Sequence, residues 1–158
     1  METDQRILPG DGQETVWDYP RPPRIERSGA HVEVVFGGVT IADSHAAWRI
    51  LETSHPPVYY IPAADVKTEF LSSVALQTFC EWKGVACYWT VAAGGKIAHN
   101  AAWSYPDPTD EYAALKDCFA FYPSKMDECR IDGEVVTPQA GDFYGGWITR
   151  NIIGPFKE

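Results

Sequence analysis

The chain has 158 residues, a formal net charge of −9 and a composition that is 45% hydrophobic and 13% aromatic. This much apolar surface suits one folded domain with its own core and excludes a disordered chain. The negative charge repels a phosphate backbone, so we expect no nucleic-acid partner. The 13 glycines and 12 prolines fall between short apolar runs, which is typical of a mainly β protein.

The cellular location and the redox state follow from what the sequence lacks. No apolar run reaches the roughly 18 to 20 residues that a membrane helix needs, and residues 1–4 are polar, unlike a signal peptide. We therefore expect a cytoplasmic protein without a membrane partner. Its four cysteines form no C-x-x-C pair, so we expect reduced thiols: Cys80, Cys87, Cys118 and Cys129.

Residues 1–30 are rich in proline and aromatic residues and predict an arm. Asp18–Pro23 favours an extended, polyproline-like chain over a helix. Trp17 and Tyr19 would be costly to leave in water, so we expect the arm to lie against the body of the protein.

The first regular structure is predicted to be a hairpin. His31–Phe36 and Val39–Asp43 are rich in β-branched residues and are separated by Gly37-Gly38, a typical two-residue hairpin turn. Ser44 can then cap a short helix over His45–Glu52, where apolar residues recur on one face.

The middle of the chain predicts a β meander between two short helices. Val58–Ile61 has the pattern of a strand, and Asp65 can begin a helix that runs to Leu71. A further helix is expected over Glu111–Lys116. Between these two helices lie four strand candidates joined by glycine or asparagine turns: 78–80, 84–91, 96–98 and 101–105.

The last predicted elements are Phe119–Tyr122, a strand, and a hairpin around Asp132-Gly133. The organisation is then an arm (1–30), a core (31–136) and an ordered C-terminal extension (137–158) of a single domain. We expect a mainly β fold: a twisted sheet or small open barrel of about eight strands with two or three short helices.

Candidate chemistry centres on the segment that ends at Gly84. Cys80 precedes Lys83 by three positions, and on a strand that ends in a turn both side chains can reach one opening. There the ammonium would favour a nucleophilic thiolate. The alternative is that Cys80 is a small buried hydrophobic residue, which is the commoner role of a free cysteine.

Glu52 is the candidate carboxylate of the same site. At the end of the predicted helix it would oppose the helix dipole and need a partner, which Lys83 could supply. Glu52, Lys83 and Cys80 would then supply a base, a cation and a nucleophile, respectively. A surface ion pair is the alternative.

Aromatic side chains would line this site as ligand-binding residues or fill the core, namely Tyr60, Trp82, Trp103 and Tyr105. The four histidines lack metal-binding spacing, so neither a metal site nor a cofactor is predicted. His55 is the one histidine that we place near the opening, and a solvated loop position is the alternative for it.

Spaced elements along the chain resemble a known family. They are Ile41-Ala42-Asp43-Ser44, Pro57-x-Tyr59-Tyr60-Ile61-Pro62, Thr78-x-Cys80-Glu81-Trp82-Lys83-Gly84, Asn100-x-x-Trp103-x-Tyr105 and Ala120-Phe121-Tyr122-Pro123. Together, over about His31–Val136, they resemble domain of unknown function family 427, and Gly145-Gly146-Trp147 is similar to a longer form of that family. The resemblance implies a small, mainly β domain that carries a nucleotidyltransferase label.

The residues do not favour nucleotidyl transfer. That reaction needs carboxylates that hold Mg²⁺ beside a glycine-rich, phosphate-binding loop. Gly94-Gly95-Lys96 lacks the P-loop spacing, and Asp107–Asp110 is better explained as a turn and a helix cap.

The predicted function is therefore the binding of a small-molecule ligand in a Cys/Lys/Glu/Tyr pocket, which would also allow a cofactor-free reaction. The alternative is a protein-interaction or oligomerisation module, a homodimer whose arm and aromatic residues make contacts between chains.

Overall fold

The structure, a computed structural model, describes residues 8–141 and 143–157. Residues 1–4, whose polarity was used above, lie outside this part of the chain. The described chain is mainly β, as predicted, and folds into open sheets that do not close into a barrel. None of its helices has the length and apolarity needed to cross a membrane.

The strands follow one another along the whole described chain. They are β1 (Glu14–Thr15), β2 (Arg24–Arg27), β3 (Val32–Phe36), β4 (Val39–Ser44), β5 (Trp48–Leu51), β6 (Val58–Pro62), β7 (Leu71–Cys80), β8 (Gly84–Ala93), β9 (Lys96–Ser104), β10 (Cys118–Phe121), β11 (Glu128–Ile131), β12 (Glu134–Val135), β13 (Thr137–Pro138), β14 (Trp147–Ile148) and β15 (Ile152–Ile153). The 3-10 turns are Val16–Asp18, Ala63–Asp65, Thr68–Phe70, Asp110–Leu115 and Pro123–Lys125.

Two sheets dominate the architecture. A seven-stranded sheet has the order β2-β5-β6-β10-β9-β8-β7, and a four-stranded sheet has the order β12-β11-β3-β4. The small parallel pair β1-β15 joins the N-terminal and C-terminal parts of the chain, and the antiparallel pair β13-β14 lies within the C-terminal part. Strand β10 lies in the middle of the large sheet and all four of its residues are buried, as expected for a strand covered on both faces.

The two faces of the seven-stranded sheet serve different purposes. Ile61 and Phe121 belong to the main core, which they share with Val32, Val34 and other residues of the four-stranded sheet. Their neighbours Tyr60, Ala120 and Tyr122 belong to a second, more aromatic cluster. Successive side chains of a strand point to opposite faces, so this second cluster lies on the face away from the four-stranded sheet.

The predicted hairpins are confirmed. Strands β3 and β4 pair across Gly37-Gly38, with Phe36 opposite Val39, and β11 pairs with β12 across Asp132-Gly133. The predicted meander is confirmed as three strands, β7-β8-β9, rather than four, because the two strands predicted over 96–98 and 101–105 form the single strand β9.

The helix predicted over His45–Glu52 is wrong. Residues Trp48–Leu51 form β5, which pairs with β2 on one side and β6 on the other. A two-turn helix is only marginally stable on its own, whereas an aromatic and β-branched segment between two strands gains hydrogen bonds along both edges.

The other two predicted helices are short 3-10 turns. The helix predicted over Asp65–Leu71 is replaced by Ala63–Asp65 and Thr68–Phe70, after which β7 begins. The one predicted over Glu111–Lys116 corresponds to Asp110–Leu115, whose Tyr112 and Leu115 are buried in the aromatic cluster.

The N-terminal segment packs against its own chain. Val16 and Tyr19 are buried with Leu51. The Arg49 guanidinium reaches Glu14 at 2.8 Å and Glu26 at 2.6 Å, which connects this segment to β5. Burial alone would raise the pKa of Glu14, but hydrogen bonds from Tyr19 and Arg49 hold it below the usual value.

Two glycine turns meet where the sheets approach each other, and this contact predicts a specific sensitivity. A Cβ on Gly94 would overlap the carbonyl oxygen of Gly37, whereas a Cβ on Gly95 would meet nothing within 4 Å. Both residues have positive φ, so alanine is strained at either position.

We therefore expect Gly94→Ala to lower the free energy of unfolding by about 3 kcal/mol, and the matched control Gly95→Ala by about 1 kcal/mol from backbone strain alone. Urea denaturation of both variants measures the difference. Equal losses would show that the turns do not need to approach each other this closely.

Candidate functional site

A cavity of about 250 Å³ opens on the aromatic face of the seven-stranded sheet. Nine of its 19 lining residues are aromatic, namely Tyr60, Phe79, Trp82, Tyr88, Trp103, Tyr105, Tyr122, Phe143 and Tyr144. Polar groups interrupt this wall at Glu52, His55, Thr78, Cys80, Glu81, Lys83 and Gln139. Such a combination of apolar walls and a few polar groups is typical of small-molecule sites.

The structure brings all of the predicted site residues to this one cavity. Cys80, Lys83 and Glu52 line it, and so do Tyr60, Trp82, Trp103 and Tyr105. They come from distant parts of the chain. They meet because β6, β10 and β9 are neighbours in the sheet and β7 turns into β8 at its edge. Their common location is thus observed, whereas their catalytic and binding roles stay predictions.

The turn between β7 and β8 positions Trp82 and Lys83. The Thr109 hydroxyl donates a hydrogen bond to the Trp82 carbonyl at 2.6 Å, and the Thr109 amide donates to the Lys83 carbonyl at 3.1 Å. Gly84 follows with a φ of +108°, a conformation that favours glycine. These contacts fix the backbone of the turn, so Lys83 is held in place before any ligand arrives.

Lys83 is the unusual charge of the site. The residue is only 8% exposed, and its Nζ lies 5.7 Å from the centre of the Tyr105 ring. Among the described carboxylates, none forms an ion pair with it. A lysine this buried normally has an ionic partner.

Glu52 is paired elsewhere. Its carboxylate lies 3.3 Å from the Arg21 guanidinium, so the predicted Glu52–Lys83 ion pair is wrong for the described structure. The prediction rested on a helix that ends at Glu52, whereas the chain there leaves strand β5 and passes beside residues of the N-terminal segment. Arg21 neutralises this carboxylate, and the charge of Lys83 is left uncompensated.

The tyrosines of the cavity are neutral hydrogen-bonding groups. The Trp103 Nε1 donates to the Tyr60 hydroxyl at 3.1 Å, and the Tyr60 and Tyr105 rings pack with 6.1 Å between their centroids. Burial raises the pKa of both phenols well above the usual value. At neutral pH neither can therefore act as a base, and both instead fix the shape of the wall.

Cys80 lies at the end of β7, half-buried and free. It lines the cavity, as the sequence predicts for a reactive thiol, but it also packs against the aromatic cluster, as the alternative predicts. Cys118 and Cys129 are buried, and burial raises the pKa of the Cys118 thiol to about 11 and that of Cys129 further.

His55 is buried rather than solvated, so its predicted alternative as a solvated loop residue is wrong. It is 7% exposed, and its ring packs edge-on against Tyr144 with 4.6 Å between the centroids. Its Nδ1 lies 2.8 Å from the Thr53 carbonyl oxygen. Its Nε2 is buried and has no hydrogen-bond partner in the described part of the chain.

The sequence did not point to the C-terminal part of the wall. Gln139, Phe143 and Tyr144 line the cavity, and the Tyr122 hydroxyl donates to the Phe143 carbonyl at 3.0 Å. No local motif marks these residues, because they reach the cavity only through the path of the tail. Gly145 allows this path, since a Cβ there would press on the rings of Trp103 and Tyr122.

A separate polar cluster lies on the four-stranded sheet. His31, Glu33 and Asp43 each offer a ligand atom within 4.8 Å of the others. The His31 Nε2 contacts Asp43 at 2.7 Å, and Nδ1 lies 3.8 Å from Glu33. The hydrogen bond to Asp43 raises the pKa of His31. Because both ring nitrogens face carboxylates, the arrangement is that of surface ion pairs.

Comparison with known proteins identifies one family. The model of a family described as Domain of unknown function (DUF427) matches residues 24–132, which include β2 to β11 and most of the cavity wall. No curated protein matches the chain.

The different burial of the four cysteines predicts their reactivity. In the native protein we expect iodoacetamide at pH 8 to alkylate Cys80 and Cys87 about tenfold faster or more than Cys118 and Cys129, because buried thiols are poorly accessible and seldom ionised. Peptide mass spectrometry over time measures the four rates, and the unfolded chain serves as the control in which they should converge. Fast native labelling of Cys129 would contradict the packing described here.

Proposed function

Taking as the premise that the chain belongs to the DUF427 family, we propose that it binds a small, anionic organic ligand in the cavity on its aromatic face. The observation that carries this proposal is Lys83, which lies at the wall of that cavity, is only 8% exposed as a residue and forms no ion pair with a described carboxylate. An anionic group on the ligand would supply the missing partner.

The size of the cavity limits the ligand. An engineered cavity of about 150 Å³ accommodates benzene, and drug-sized ligands need roughly 300 to 1,000 Å³. A volume of about 250 Å³ therefore suits one aromatic ring with a short polar substituent.

The charge of Lys83 supports an anion rather than a neutral ligand. A buried ammonium without a partner is costly, because the apolar surroundings replace water poorly. A carboxylate beside it would regain that free energy in a setting where electrostatic attraction is stronger than in water. The chain as a whole is acidic, so this cation is a local exception to the net charge of −9.

The aromatic wall supports a flat apolar body. Trp103 and Tyr122 pack with 4.6 Å between ring centroids, and Tyr60 meets Trp103 edge-on at 6.2 Å. Rings fixed in this way offer faces and edges against which another ring can stack without reordering the wall.

The predicted catalytic use of the cavity goes further than binding. In the predicted reaction Cys80 would be the nucleophile, Lys83 its electrostatic activator and Glu52 the base, with no cofactor. Because Arg21 already pairs with Glu52, the cation and the thiol are the better supported members of this set.

The alternative, a homodimer formed through the N-terminal arm, stays a prediction. In the structure the described aromatic residues of the arm contact their own chain: Tyr19 is buried, and the Trp17 Nε1 donates to the Pro155 carbonyl at 3.0 Å. Among the large hydrophobic side chains in the described part of the arm, residues 8–30, Leu8 is the exposed one.

A charge-dependent stabilisation by ligand tests the proposal. Phenylacetate should raise the melting temperature of the wild-type protein, and phenylacetamide, which has the same shape without the charge, should bind about tenfold more weakly or worse. Lys83→Met should abolish the difference between the two compounds. Thermal unfolding at a series of ligand concentrations measures all four affinities.

Lys116→Met is the matched control, because Lys116 is exposed and does not line the cavity. It should keep the preference for the acid. Equal binding of the acid and the amide by the wild type, or an unchanged preference in Lys83→Met, would contradict the proposal.

A further inference from the structure

One buried polar atom of the cavity wall has no partner. The Nε2 of His55 is buried and makes no hydrogen bond with any described residue. The residue as a whole is only 7% exposed. Buried nitrogen atoms of this kind are rare, because a polar group that has lost its water without gaining a hydrogen bond destabilises the fold.

The hydrogen bond of the other ring nitrogen, Nδ1, determines whether Nε2 donates or accepts. The Nδ1 lies 2.8 Å from the Thr53 carbonyl oxygen, which can only accept a hydrogen bond. Nδ1 therefore carries a proton, and in the neutral imidazole Nε2 is left with a lone pair. His55 thus offers a hydrogen-bond acceptor, complementary to the donor that Lys83 offers.

The position of this acceptor is fixed by the chain around it. The His55 amide donates to the Glu52 carbonyl at 3.0 Å, and the Trp147 amide donates to the Pro57 carbonyl at 2.8 Å. The Tyr144 ring packs against the imidazole. The backbone around His55 is therefore fixed, and the Tyr144 ring, which belongs to the cavity wall, is the neighbour that a ligand would displace to reach the imidazole.

Lys83 and His55 are separated along the wall by aromatic rings. Lys83 lies over Tyr105, Tyr105 contacts Tyr60 at 6.1 Å between centroids, and Tyr60 contacts Trp103. From there the wall continues through Tyr122 to the segment that brings Tyr144 onto His55. A ligand that reaches both polar groups must therefore carry its two polar groups on different parts of an apolar body.

We propose that the ligand is an aromatic carboxylic acid that also bears a hydroxyl or N–H donor, with its carboxylate at Lys83 and its donor hydrogen-bonded to the Nε2 of His55, which the ligand reaches by displacing the Tyr144 ring from the imidazole. This inference rests on the proposed function and adds the ligand class and a second recognition residue. His55 would act in specificity, since an acceptor that is buried without a partner penalises every ligand that lacks the matching donor.

Three phenylacetates of nearly equal shape test the proposal by isothermal titration calorimetry. 4-Hydroxyphenylacetate carries the donor, phenylacetate has no polar group at that position, and 4-methoxyphenylacetate has an acceptor only. We expect the hydroxyl compound to bind about tenfold more tightly than phenylacetate, and the methoxy compound to bind no better than phenylacetate.

Variants of His55 assign the preference to this residue. His55→Phe keeps an aromatic ring without the acceptor and should reduce the tenfold preference to about onefold. His55→Gln keeps an acceptor and should retain part of the preference. His99→Phe is the matched control, because His99 is exposed on β9 and should leave the preference unchanged.

The wild-type protein provides a measurement that does not depend on how well the variants fold. Long-range ¹H–¹⁵N spectra distinguish the two nitrogens of each histidine. For His55 they should show a protonated Nδ1 and an unprotonated Nε2, and 4-hydroxyphenylacetate should shift the Nε2 signal.

Different experimental results would overturn the role of His55 and the proposed function. If phenylacetate binds and depends on Lys83, but the hydroxyl compound binds no better and leaves the Nε2 signal in place, the role of His55 is overturned and the proposed function stands. If none of the three acids binds at millimolar concentration, both proposals are overturned.

Discussion

The alternation of side chains along the central strands is the constraint on which the rest of the structure depends. Strands β6 and β10 must supply a core on one face of the seven-stranded sheet and an aromatic wall on the other. Ile61 and Phe121 are fully buried against the four-stranded sheet, and Tyr60 and Tyr122 face the cavity. A register shift by one residue would exchange the two sets, so the pairing that stabilises the fold also builds the candidate site.

The cavity combines a rigid apolar wall with two polar groups of opposite hydrogen-bonding character. Burial keeps the phenols of Tyr60 and Tyr105 neutral, and the Tyr60 hydroxyl accepts a hydrogen bond from Trp103. Arg21 neutralises Glu52. The cation of Lys83 and the acceptor of His55 are the two groups that our proposals assign to ligand recognition, because in a setting of low polarity each would favour ligands that match it over ligands that do not.

The sequence predicts those features whose signals are local. Glycine pairs mark the turns of two hairpins, and β-branched runs mark most of the strands, so the mainly β class and the meander follow from short segments. The clustering of Cys80, Trp82 and Lys83 at one turn also pointed to the part of the molecule where the cavity lies. Strand β5 is missed because its short apolar pattern fits a helix as well, and only its two neighbouring strands decide between them.

Features that depend on distant contacts could not be predicted in this way. The partner of Glu52 is Arg21, which lies 31 residues away in a segment that the sequence marks only as an arm. His55 was placed near the opening, but its burial depends on Tyr144, and its unpaired nitrogen depends on the path of the backbone at Thr53. No spacing or composition encodes either relationship.

The six tryptophans of the chain offer the most direct test of whether the cavity is the ligand site. Trp82 and Trp103 line it, whereas Trp17, Trp48, Trp89 and Trp147 lie outside its wall. In ¹H–¹⁵N spectra, addition of 4-hydroxyphenylacetate should shift the indole signals of Trp82 and Trp103 and leave the other four in place. Shifts confined to the other four, or no shift at all, would contradict a ligand site in this cavity.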